Sequence, residues 1–120
     1  MTQEQRALQI WTVLVGCAHR RETILYETLP DLIGFNGPPH WLSEALGRVM
    51  RYCERRGLPP LTVLAVNQHG QPSDGLVTSA NFDQDRENVY AHHWFRETPL
   101  TSADLTQPWR SQPEQAAAAH

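Results

Sequence analysis

Arg48, Arg51 and Arg55 form the pattern in this chain best suited to chemistry. At helical spacing they fall within an arc of about 60°. Leu42, Ala45, Leu46, Val49 and Cys53 take the opposite side. Guanidinium groups arranged in this way can make charge-assisted, bidentate bonds to phosphates, or to guanine edges in a groove. Arg20 and Arg21 are a second cationic pair, placed to clamp backbone nearby. The competing use of the stripe is a solvated face with local pairing. Glu44 stands four residues before Arg48, and Glu54 is adjacent to Arg55.

Other chemistry has weaker support. Tyr26, Glu27 and the His92-His93 pair could compose an acid–base site, but nothing in their spacing requires one. GxSxG, P-loop and GxGxxG patterns are absent, so no catalytic residue is assigned. HExxH, CxxC and His-x-His spacings are also absent, and neither a metal nor a cofactor is expected. Cys17 and Cys53 fall on apolar helix faces and read as buried, reduced thiols. The aromatic set Tyr90, Trp94, Phe95 and Trp109 suits either base stacking or a protein interface, including a homodimer.

A chain of 120 residues is one domain with one core. Its 40% hydrophobic and 19% charged content is that of a globular protein. The net charge of −3 argues against a general nucleic-acid coat protein. The cations are nevertheless concentrated, since seven of the ten precede residue 57, all of them arginine. No apolar run approaches the ~20 residues of a membrane span. The start lacks a basic signal-peptide region, so a cytoplasmic protein without membrane contact is expected.

The elements that must position these residues follow from periodicity and punctuation. A helix over 2–20 opens at a Thr2/Gln5 capping box. A short strand at 22–25 and a brief helix at 27–33 follow, with Pro30 opening a turn or breaking the segment. Gly34 and Gly37-Pro38-Pro39 mark a loop, and a third helix over 39–56 stops at Gly57. Residues 61–67 read as a buried strand, 67–70 as a turn and 75–79 as a returning hairpin arm. Residues 81–88 are expected to be a mobile loop or wing tip, and 87–95 a third strand. Residues 101–105 cap one last helical turn. The expected domain is 1–105, with 106–120 as a disordered tail. This order describes an α+β fold, winged helix-turn-helix-like, of three helices plus a small antiparallel β-sheet. The helix at 39–56 takes the recognition position.

Residues Thr23-Ile24-Leu25-Tyr26-Glu27-Thr28-Leu29, Leu42-Ser43, Tyr52-Cys53, Gly57-Leu58-Pro59-Pro60-Leu61-Thr62 and Val66-Asn67 resemble a group of small bacterial and phage proteins. The resemblance covers somewhat under half of the chain and implies no particular activity. More remotely, the segment around Tyr26 is similar to the DNA-binding lobe of the alkylguanine alkyltransferases and alkyltransferase-like proteins, a winged helix-turn-helix. That resemblance implies a place near a flipped nucleotide for Tyr26 and a duplex-holding role for Arg48. The Pro-Cys-His-Arg reactive motif is missing, which removes alkyl transfer.

Two functions are therefore expected. The first is nucleic-acid binding without catalysis, with duplex DNA as partner and Arg48, Arg51, Arg55, Arg20, Arg21 and Tyr26 as contacts. The second is a protein–protein module that inhibits or adapts a larger complex, such as phage or host-defence machinery, through Trp94, Phe95 and Tyr90.

Overall fold

A reciprocal cap starts the fold. The Thr2 hydroxyl accepts from the Gln5 backbone N–H, and the Gln5 side chain accepts from the Thr2 N–H, opening α1 (Gln3–Arg20). The computed structural model in which this is seen describes residues 1–72 and 81–108. The 3.6-residue period of α1 buries Ala7, Ile10, Trp11, Leu14, Val15 and Ala18. The helix ends at Arg21 in the left-handed region, where the backbone N–H caps the Cys17 and Ala18 carbonyls.

Strand β1 (Ile24–Leu25) leads into α2 (Thr28–Ile33), with Pro30 within the first turn, where a missing N–H costs no helical bond. Gly34 ends α2 at a φ of 69°. The longest amphipathic element after α1 is α3 (Trp41–Arg56), closed by Gly57 at φ 67°. It packs on α1 through Ala45, Leu46, Val49, Met50 and Cys53.

The strand expected over 61–67 forms only in part. Pro60 precedes a 3₁₀ turn, Leu61–Leu64, and only Ala65–Val66 (β2) is extended. All six residues are buried, and a continuous apolar run carries no periodicity that separates a strand from a tight helical turn. Strand β2 pairs with β1 in parallel, Ile24 opposite Ala65 and Leu25 opposite Val66. Among the described residues the antiparallel sheet is thus corrected to a two-stranded parallel one, beside which Val66 and Pro72 make an isolated antiparallel bridge. The connection through α2 and α3 is a crossover, which is what parallel strands require. The turn after β2 is present: Asn67 Oδ1 accepts from the His69 and Gln71 N–H groups, and Gly70 takes a φ of 74°. The hairpin arm expected at 75–79 lies outside the described residues.

The largest correction falls on 81–95. The expected loop and third strand are replaced by a fourth α-helix, α4 (Phe82–Ala91), and a 3₁₀ turn, Trp94–Arg96. Asn81 caps the helix by accepting from the Gln84 N–H, and Asp83 and Asp85 complement the dipole in its first turn. The expected last turn forms as a 3₁₀ turn, Ser102–Leu105, with a Thr101/Asp104 capping box, and seats Leu105 in the core. Of the expected tail, 109–120 lies outside the described residues, Trp109 included. The coarse class stands as α+β, with four α-helices and a small sheet among the described residues. Among the described residues, no helix is long and apolar enough to cross a membrane.

Candidate functional site

The arginine stripe divides when folded. Arg48 is buried at 7% exposure. Its Nη1 donates to the carbonyls of Leu105 (3.0 Å) and Thr106 (2.7 Å), and its Nη2 to Gln3 Oε1 (2.9 Å). Glu44 and Glu4 complete the surroundings at 3.4 and 3.6 Å. The side chain therefore ties α3 to the last turn and to the start of α1. Arg51 is paired with Glu54 one turn on. Arg55 donates to the Asp104 carbonyl at 2.9 Å and lies over the Tyr52 ring, as does Arg56. Arg20 pairs with Glu22, and Arg21 with Glu87 on α4 while stacking on Tyr90. The stripe is not one open cationic face: one member is internal, and the others have partners on several elements.

The aromatic end also splits. Trp94 is core, at 6% exposure, with its indole N–H donating to the Val89 carbonyl at 2.8 Å and its ring edge-on to Trp11. Phe95, the next residue, is 68% exposed and meets the His19 ring at a centroid distance of 4.9 Å. Tyr90 is half-buried under Arg21, and burial pushes its phenol pKa up. His92 sits 2.7 Å from Glu97, while His93 faces solvent. Tyr26 and Glu27 line a different cleft from the histidines, so these four residues do not compose one acid–base site. Among the described residues, no group of three His, Cys, Asp or Glu is placed to hold a metal. Cys17 and Cys53 are free and buried, and burial raises both thiols, Cys53 to about 12.

Tyr26 leads to a surface that reading the sequence for charge missed. Two clefts, of about 190 and 510 Å³, share Pro38, Pro39 and Trp41 as a common wall. Tyr26 and Pro30 line the larger; Phe35, Arg6 and Met1 line the smaller. The Phe35 and Trp41 rings meet edge to face at 4.9 Å, and the Arg6 guanidinium covers the Phe35 ring at 3.7 Å. The loop leaves room for this arrangement. A Cβ at Gly37 would lie 2.5 Å from the Phe35 ring, so only glycine allows the ring to sit there. His40 holds a left-handed φ of 68°, and its carbonyl receives the Ser43 hydroxyl and the Glu44 N–H at 3.0 Å each. The available signal was the Gly-Pro-Pro run flanked by Phe35 and Trp41, legible as a loop but not as a surface. Compared with known proteins, the chain matches no family model, no curated protein and no solved structure.

Proposed function

We propose that this chain is a non-enzymatic recognition module that binds another protein through the aromatic–proline surface between α2 and α3. The observation that carries the reading is the left-handed His40 beside the crowded Gly37. A non-glycine residue in that region costs about 1–2 kcal/mol, and such strain gathers where a loop must present particular groups. Here it presents Phe35 and Trp41, half-exposed, with Pro38 and Pro39 between them. Rigid rings and prolines lose little conformational entropy on binding, so a shallow surface of this kind suits an extended segment with apolar side chains. Recruitment of such a module to inhibit or adapt a larger complex fits a slightly acidic chain.

The test is selection of displayed random peptides on the full chain, followed by titrations that read tryptophan fluorescence. Apolar peptides should be enriched, and their affinity should fall at least tenfold in Trp41→Ala, the loss expected of a central aromatic anchor. Enriched peptides indifferent to Trp41→Ala, or no enrichment, would remove the reading.

A second reading is duplex DNA binding by α3 as the recognition helix of a winged-helix domain. The last turn of that helix favours it: Arg55 and Arg56 are exposed and Arg51 partly so. Their pairings with exposed partners are weak enough to exchange for phosphates. Arg48 has no part in this version, because its donors are occupied internally. Anisotropy on a random duplex across a salt series decides it. Binding with a steep negative salt slope that is lost in Arg51→Ala/Arg55→Ala would replace the protein-recognition reading.

A further inference from the structure

The geometry around Phe95 points to a second interface, on a different part of the molecule, at which two copies of this chain pair about a two-fold axis. Trp94 turns inward and fixes the 3₁₀ turn against α1, so its neighbour Phe95 is driven outward. Beside it runs a groove of about 300 Å³ between α1 and residues 95–100, floored by Leu8, Trp11, Val15 and Leu100. A projecting apolar ring therefore stands at the lip of an apolar groove on the same face. In an isologous pair each element serves its opposite: Phe95 of one copy fills the groove of the other, and the exchange is mutual. A groove open to solvent on one copy is closed by the same surface of the other.

Charge selects this occupant over an arbitrary apolar one. Arg96 is exposed and, among the described residues, makes no ion pair. Glu97, immediately after it, lines the groove and, among the described residues, has its ion pair with His92. When Phe95 enters the opposite groove, the adjoining Arg96 is carried toward the Glu97 there, and the two-fold axis makes the pair twice. The groove thus presents the counter-charge to the residue that accompanies its knob, which is self-complementarity in shape and in sign.

The test is the mass of the full chain by light scattering and sedimentation over a range of concentrations. The mass should rise from one to two 13.7-kDa chains. Phe95→Ser should raise the dimer dissociation constant at least ~30-fold, since two rings are lost per dimer. A charge experiment tests the two-fold geometry. Arg96→Glu alone and Glu97→Arg alone should each be monomeric, because like charges then face each other. Mixed in equal amounts, they should form a heterodimer, because each 96 then meets an opposite charge at 97. Far-UV circular dichroism confirms that each variant is folded, and Thr12→Arg, which fills the groove from an exposed α1 position, is the second disruptive variant. A chain that stays monomeric at all concentrations, a dimer indifferent to Phe95→Ser and Thr12→Arg, or a mixture that fails to pair would each overturn the inference. None of these outcomes bears on the Trp41 surface, whose peptide titrations are read independently.

Discussion

Replacing Arg48 with methionine separates a structural arginine from a ligand-contacting one. Three donors of its guanidinium are engaged within 3.0 Å, two of them by main-chain carbonyls of the last turn. Each charge-assisted bond of this kind contributes about 1.5–3 kcal/mol. Methionine keeps much of the packing volume but leaves the Leu105 and Thr106 carbonyls short of a donor. Against that loss stands the desolvation of a buried guanidinium, several kcal/mol, which methionine does not incur. Its Nε, buried without a partner, shows that the desolvation is incompletely offset. The balance predicts a destabilisation of about 3 kcal/mol, read by urea titration, and a fall in Tm of roughly 12 °C at about 4 °C per kcal/mol. Arg48→Lys should fall between, at about 1–2 kcal/mol, since a point donor cannot serve the fork. Nucleic-acid binding, measured on the same samples below their Tm, should not change. A variant that melts with the wild type but loses duplex affinity would refute the placement of Arg48 and return it to the DNA face.

The other outcomes concern strain, crowding and burial. His40→Gly should stabilise the fold by roughly 0.5–1 kcal/mol in urea titrations, because glycine adopts the left-handed φ freely; destabilisation would mean that the His40 side chain holds the loop. Gly37→Ala should rotate Phe35 from beneath Arg6, at a cost of about 0.5–1.5 kcal/mol, and weaken peptide binding at Trp41. Alkaline stability tests Cys53. Its folded pKa, about 12, is raised above the ordinary 9.0, so the contribution is complete below pH 9 and is lost as the pH rises toward 12. At pH 10.5 the wild type should have lost about 2 kcal/mol more than Cys53→Ala relative to pH 8. The variant comparison cancels the phenols of buried Tyr52 and half-buried Tyr90, whose raised pKa values act with the same sign. Equal losses in the two proteins would place the Cys53 thiol in contact with water.

The helices with strong local punctuation were legible in the sequence. Thr2 and Gln5 fix the start of α1, Gly57 the end of α3, and Thr101 with Asp104 the last turn, each through bonds made within a few residues. The helix Phe82–Ala91 was not legible because its apolar positions are few: Val89 is its buried residue, and Phe82 and Tyr90 are only partly buried. Period-based reading then gave way to the aromatic and β-branched content at its end, which resembles a strand. Asn81 was the neglected signal, an N-cap residue followed at once by an acidic first turn. The run 61–66 was ambiguous in principle, since every residue is buried and no face distinguishes one backbone conformation from another.

The site failed to show for a different reason, and it bears on how arginines are read. On a helical wheel Arg48, Arg51 and Arg55 are equivalent, but the wheel contains no information about residues 101–106, which arrive from far along the chain and settle over one edge of the stripe. A turn whose Leu105 and Thr106 carbonyls face inward needs a donor, and Arg48 is the residue that reaches them. The same contact that removes Arg48 from solvent holds the final turn, so its charge is better explained by the carbonyls than by any phosphate. Phe35 and Trp41 had the opposite fate. Nothing in their spacing marks them, yet a glycine without room for a Cβ and a histidine held left-handed keep them together at the surface. A fold that absorbs its best cation and holds two rings at the surface accords with the proposed apolar partner better than with a polyanion.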